Sequence, residues 1–221
     1  MADLFGNNLA DYSIIITGGS GPNRLITSDG DELIYGLEGN DTIDAGGGND
    51  LIYGGSENDL IYGGSGNDRI YGESGNDILN GEAGNDILNG GAGNDTLTGG
   101  LGSDQFFFKT ALATAGVDRI TDFSISSNDK IVLDKSVFSA LETPAGNVLR
   151  IKDFGVINVA AAAEVVAAGN RVNEIVYNRQ TGNLFYNPNN TAAGFGAGGG
   201  QFATIVGSPN NLSNTDFRVV A

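Results

Sequence analysis

The sequence predicts an all-β chain: a solenoid with parallel sheets on two sides over residues 18–107, followed by a β-rich region with one short helix. Three observations predict it. A nine-residue register runs through the first half and carries one apolar residue per unit. Glycine recurs at fixed places in that register, 36 residues in all against only 4 prolines. Acidic charge is confined to the same stretch: residues 27–107 hold 16 of the 27 acids and a single base, Arg69, whereas residues 108–221 balance 9 acids with 9 bases. Collagen is excluded because no Gly-X-Y period and no proline excess exist. Plain disorder fits poorly with 40% hydrophobic residues at fixed spacing.

The repeat begins clearly at residues 36–44, GLEGNDTID, and continues as AGGGNDLIY, GGSENDLIY, GGSGNDRIY, GESGNDILN, GEAGNDILN, GGAGNDTLT and GGLGSDQFF, ending at Phe107. Position 8 is always apolar: Ile43, Ile52, Ile61, Ile70, Leu79, Leu88, Leu97 and Phe106. Positions 7–9 suit a short strand, so position 8 faces one way and its neighbours the other. One inward residue every nine positions gives an apolar stack, and two units make one coil. Glycines at positions 1, 2 and 4 permit backbone conformations that side chains disfavour and let turn carbonyls converge. Two degenerate units precede the array. TSDGDELIY (27–35) has Glu32 at position 6, and GGSGPNRLI (18–26) has Asn23; both are expected to cap the solenoid without supplying a ligand.

Position 6 is aspartate in all eight units: Asp41, Asp50, Asp59, Asp68, Asp77, Asp86, Asp95 and Asp104. Stacked coils line these carboxylates up, which is unfavourable unless a cation lies between neighbouring turns. The chain has no histidine and no cysteine, so zinc, haem and iron–sulfur sites of the usual kinds are excluded, as are disulfides. Calcium fits an oxygen-only site of loose geometry; magnesium demands a tighter octahedron and keeps its waters. The acidic block also repels nucleic acid and anionic lipid.

The pattern GGxGxDxUx resembles the repeats-in-toxin (RTX) nonapeptide of hemolysin-type calcium-binding proteins of bacteria. The resemblance implies a right-handed parallel β-roll, with each calcium between turns two units apart. Carried onto this chain, the aspartate pairs are Asp41 with Asp59, Asp50 with Asp68, Asp59 with Asp77, Asp68 with Asp86, Asp77 with Asp95, and Asp86 with Asp104, giving up to about six ions. Turn carbonyls complete the sets, from position 1 (Gly36, Gly54, Gly63, Gly72, Gly81, Gly90), position 2 (Gly46, Gly55, Gly64, Gly91) and position 4 (Gly39, Gly48, Gly66, Gly75, Gly84, Gly93). Glu57 departs from the pattern at position 4, which sets the Asp59 sites apart. Glu73 and Glu82 depart at position 2, where only a carbonyl is required.

Beyond Phe107 the sequence predicts a cap. Phe106, Phe107 and Phe108 are expected to plug the open end of the roll, and residues 1–17 to form an N-terminal cap segment. Residues 117–134, VDRITDFSISSNDKIVLD, resemble the segment that follows the repeats in serralysin-like proteases. Strands are predicted near Ile120–Phe123, Ile131–Leu133, Ile175–Tyr177, Leu184–Tyr186, Phe202–Val206 and Phe217–Val220, with a short helix over the alanine-rich 159–168. The final residues, Asp216 to Ala221, resemble an uncleaved type I secretion signal. No N-terminal secretory signal or apolar run of membrane-spanning length is present.

Catalytic chemistry is not indicated. H-E-x-x-H needs histidine, the EF-hand spacing is absent, and the G-x-G-x-x-G match at 194–199 lacks a surrounding βαβ unit. Tyr35, Tyr53 and Tyr71, spaced by 18, are expected to form a ladder on one outer face, read as a covered cross-strand stack. The alternative for that face is a surface for polysaccharide or a protein partner. The functional expectation is a secreted, extracellular, non-enzymatic calcium-binding module that folds when it meets calcium. It would act at the cell surface or matrix, or alternatively as an accessory to a separately encoded secreted enzyme.

Overall fold

The computed structural model describes residue 12 and residues 14–139, 145–148, 154–157, 175–187, 200–207 and 209–221. The helix expected over 159–168 and the glycine-rich stretch at 194–199 lie outside the described residues, as does most of the expected cap at 1–17.

The strands follow the nine-residue register. Sheet one is built, in spatial order, from β1 (Ile14–Thr17), β3 (Glu32–Glu38), β5 (Leu51–Ser56), β7 (Arg69–Ser74), β9 (Ile87–Ala92), β11 (Gln105–Phe108), β13 (Lys130–Asp134) and β18 (Phe217–Val220). Sheet two runs β2 (Arg24–Ile26), β4 (Thr42–Asp44), β6 (Leu60–Ser65), β8 (Ile78–Ala83), β10 (Thr96–Thr98), β12 (Asp118–Ile120), β17 (Gly200–Ile205), β16 (Asn183–Tyr186), β15 (Ile175–Asn178) and β14 (Phe154–Ile157). From β1 to β13 odd strands go to one sheet and even strands to the other, because each nine-residue unit crosses the solenoid once. Pairing is parallel with a shift of 18 residues, as in Ile34 opposite Ile52 opposite Ile70.

Position 8 is fully buried from Ile43 through Phe106, and these side chains form one continuous apolar column. Each buried Ile or Leu contributes about 1.5–3 kcal/mol relative to exposure. Positions 2 and 4 hold left-handed backbone in every unit. At position 4 glycine meets this need (Gly66 φ +128°, Gly75 φ +145°), but Glu57 takes it at φ +75°. Position 2 likewise accepts Leu37, Glu73 and Glu82 at φ +82°, +73° and +70°. A left-handed non-glycine residue costs roughly 1–2 kcal/mol, so the stacked turns over-determine these conformations.

The roll does not end at Phe107. β11 pairs in parallel with β13, and β10 with β12, so Phe106 lies inside the apolar column with a further strand stacked on it. The expected phenylalanine plug is therefore corrected. The second half of the chain continues both sheets, β18 covering β13 and β17 covering β12, all in parallel. Only then does an antiparallel meander, β17–β16–β15, break the pattern. A short helix, α1 (Leu112–Ala115), was not foreseen. At the other end, β1 is the first rung of sheet one.

The tyrosine ladder is a stack. Tyr35 and Tyr53 rings lie 5.2 Å apart at 8°, and Tyr53 and Tyr71 5.1 Å apart at 14°. Tyr53 and Tyr71 are buried with Leu33 and Leu51, and Tyr12 packs against this cluster. Rings stacked face to face on one another present their edges, not their faces, outward, which supports the covered-ladder reading.

Candidate calcium sites at the turns

The turns, positions 1–6, form one row along each flank of the roll. Asp41, Asp59, Asp77 and Asp95 share one row; Asp50, Asp68, Asp86 and Asp104 share the other. Every one of these carboxylates is buried. In six of the eight, Oδ1 accepts the backbone N–H of the aspartate 18 residues earlier: Asp59 from Asp41, Asp77 from Asp59 and Asp95 from Asp77 in the first row, each at 2.8 Å. The second row repeats this with Asp68 on Asp50 and Asp86 on Asp68 at 2.8 Å, and Asp104 on Asp86 at 2.9 Å. All six expected pairs are thus brought together.

The second oxygen, Oδ2, is buried on all eight aspartates and has no hydrogen-bond partner. An orphaned anionic oxygen is costly in a low-dielectric site. Burial, reinforced by neighbouring carboxylates, accordingly raises these acids. Asp50, Asp77 and Asp86 are pushed up to about 7. Asp59, Asp68 and Asp104 rise to about 6. Backbone N–H donation pulls the other way and does not win.

In five of the eight units a carbonyl from the stacked turn converges with the orphaned oxygen on the place where a Cβ at position 1 would stand. A Cβ on Gly63 would stand 2.5 Å from Asp68 Oδ2 and 3.0 Å from the Gly81 carbonyl. The same convergence joins Gly36 to Asp41 Oδ2 and Gly54 O, Gly54 to Asp59 Oδ2 and Gly72 O, Gly72 to Asp77 Oδ2 and Gly90 O, and Gly81 to Asp86 Oδ2 and Gly99 O. Position 1 is therefore glycine for room; its φ is not left-handed. Carbonyls at positions 2 and 4 lie where a Cβ of the residue eighteen later would stand: Gly46 O at Gly64, Gly48 O at Gly66, Gly66 O at Gly84 and Gly75 O at Gly93.

Among the described residues no group of three or more His, Cys, Asp or Glu side chains converges on one point. The donor set is instead paired carboxylates with backbone carbonyls, all hard oxygens, which suits calcium.

Several contributors escaped the sequence reading. Glu57 leaves the Asp59 turn intact: its carbonyl faces Gly75, its carboxylate accepts Gly39 N–H at 2.6 Å, and Asp59 is placed like its neighbours. The carbonyls of Leu37, Glu73, Glu82 and Gly99 face stacked turns as the glycine carbonyls do. Glu32, expected to be ligand-free, is buried with an unpartnered Oε2 and donates its N–H to Asp50 Oδ1 at 2.8 Å. Its leading unit is therefore built like a turn of the row. The position-5 asparagines form a second ladder in the opposite sense. Asn49 Oδ1 accepts Asn67 N–H at 2.9 Å, and Asn67 Oδ1 accepts Asn85 N–H at 2.8 Å. The Asn at position 5 of seven of the eight units, with Ser103 in the last, was the available signal.

One site differs. Position 1 of the Asp50 turn is Ala45, a buried residue whose methyl stands where the other units leave room.

No curated protein matches the chain significantly. Among solved structures, it is similar to the solution structure of the AlgE6R3 subunit of the Azotobacter vinelandii mannuronan C5-epimerase. That match has 27% identity over 73% of this chain and 77% of the other, with a TM-score of 0.42. The family described as the RTX calcium-binding nonapeptide repeat (4 copies) matches residues 17–52, 26–60, 44–79, 53–88 and 71–106. Residues 17–106 therefore match the RTX calcium-binding nonapeptide repeat and fold as a parallel β-roll.

Proposed function

We propose that the roll is a calcium-driven folding module of a secreted protein, with ions between stacked turns held by the six aspartate pairs and the turn carbonyls. The observation that carries this reading is the row of buried carboxylate oxygens without partners, five of the eight beside a carbonyl of the next turn. The leading pair, Glu32 with Asp50, offers the same parts. Six divalent ions supply about +12 against the acidic block, close to neutralisation.

The mechanism is linkage. The gaps exist only when turns stack, so calcium binds the folded form and its binding free energy becomes folding free energy. Sites of extracellular modules typically have Kd values of about 10⁻⁴–10⁻³ M, above cytoplasmic calcium. The chain would remain extended inside the cell, pass through type I secretion machinery, and fold outside. There it serves as a structural or interaction module at the cell surface or matrix.

The test is far-UV circular dichroism in chelator, followed by calcium titration with magnesium as control. A cooperative coil-to-β transition with calcium alone is expected. A spectrum already fully β in chelator, or an equal response to magnesium, overturns the switch.

A further inference from the structure

Resting on that reading, we propose that the first turn row carries one more cation site than the repeat motif encodes, between Asp95 and Asp118.

The sequence register ends at Phe107, yet residues 114–121 rebuild a turn in space. Thr114 O accepts Gly93 N–H at 3.1 Å, the bond that position 3 of a stacked unit makes elsewhere, as Ala92 O does for Gly75 at 2.9 Å. Gly116 is left-handed at φ +71°, and a Cβ there would meet the Gly93 carbonyl, as one at the position-4 glycines Gly66, Gly84 and Gly93 would meet the carbonyl of the turn before it in the row. Val117 N–H continues the asparagine ladder onto Asn94 Oδ1 at 3.0 Å. Asp118 then stands at position 6: its Oδ1 accepts Asp95 N–H at 3.2 Å. Arg119 and Ile120 pair with Thr96 and Leu97, and Ile120 fills the apolar column. The separation is 23 residues instead of 18, because the chain detours through α1. A nine-residue pattern cannot register it.

This gap has what the others have. Asp95 is buried and its Oδ2 has no partner. Asp118 is buried as well, and its carboxyl faces that of Asp95. Two buried carboxylates with no cationic side chain in hydrogen-bonding reach among the described residues are a site for a cation of hard-oxygen preference, here calcium. Asp95 Oδ2 and the carbons behind it are the nearest atoms to where a Cβ at Gly90 would stand, as those of Asp104 are at Gly99.

The other row supplies the contrast. Asp129 occupies the equivalent place above Asp104, with Oδ1 on Asp104 N–H at 3.1 Å. Its Oδ2 is already engaged by Ser124 N–H at 2.8 Å. Both oxygens of Asp129 are thus taken by backbone donors, although Asp104 Oδ2 in the same row is unpartnered.

The test is calcium stoichiometry of the full chain by equilibrium dialysis at saturating calcium, for the unaltered protein, Asp118→Asn and Asp129→Asn. Asparagine keeps an acceptor for Asp95 N–H. Asp118→Asn is expected to lose one ion per chain and Asp129→Asn none; an unchanged count for Asp118→Asn overturns the proposal. If the unaltered chain binds no calcium, the proposed function itself fails. Should Asp118→Asn not fold, terbium-loaded crystals of the unaltered chain decide the matter. Anomalous density between Asp95 and Asp118 supports the site. Its absence, with peaks present between Asp77 and Asp95, rejects it.

Discussion

At the scale of single residues, position 1 of the repeat is the most exacting. Glycine there is needed for room, since a methyl on Gly72 would overlap Asp77 Oδ2 and the Gly90 carbonyl. Gly72→Ala is expected to weaken calcium binding in the Asp77 gap, because the methyl crowds a cation that needs six to eight oxygens. Ala45→Gly makes the reverse change in the Asp50 turn and is expected to tighten binding there. Isothermal titration calorimetry on both variants checks the pair; equal behaviour of the two would show that the position-1 gap is not where calcium sits. Position 4 is more forgiving than its glycines suggest, since Glu57 adopts φ +75° and turns its carboxylate to Gly39 N–H.

At the scale of elements, each turn row is a chain of shared parts. An interior aspartate takes part in two gaps, one toward each stacked neighbour. Asp77 accepts Asp59 N–H and donates its own N–H to Asp95. Asp41 instead accepts Asn23 N–H at 2.7 Å, and Asn23 brings no carboxylate to that gap. Asp68→Ala and Asp77→Ala are therefore expected to lower the calcium-loaded unfolding midpoint by about twice as much as Asp41→Ala, two linked binding events being lost instead of one. Thermal melts at fixed calcium measure it, and equal shifts would contradict shared ligation. The asparagine and aspartate ladders run in opposite senses along the same rows, so each turn is tied to both neighbours. Repeat arrays are stabilised by such nearest-neighbour interfaces.

At the scale of the whole molecule, the carboxylates act together. Their folded pKa values are raised above the unfolded value of 3.8, to about 7 for Asp50, Asp77 and Asp86. A raised carboxyl takes up protons on folding, so its contribution to stability is present below pH 4 and is lost as pH rises through 6 to 7. In chelator, β content is expected to increase on acidification from about pH 8 to pH 5, protons partly replacing calcium. With calcium present, the titration midpoint should move to higher calcium over the same range, since ion and proton compete for one oxygen. Circular dichroism at the two pH values, with and without chelator, tests both signs. A metal-free chain that loses structure toward pH 5 would refute the linkage.

The sequence alone determined the roll. Position 8 gave the apolar column, the 18-residue coil gave parallel pairing of Ile34 with Ile52, and position 6 gave the aspartate rows, because each is a local regularity repeated in a fixed register. The tyrosine stack was legible for the same reason. Only the tertiary structure decided where the roll ends. Asp118 and Asp129 join the rows across separations of 23 and 25 residues, and no period announces them. Glu32 passed as an empty cap because its longer side chain breaks the motif, yet its N–H and carboxylate occupy the row. Once a stack of turns exists, any segment that can match its hydrogen-bond ladder can extend it, and that match is made in space.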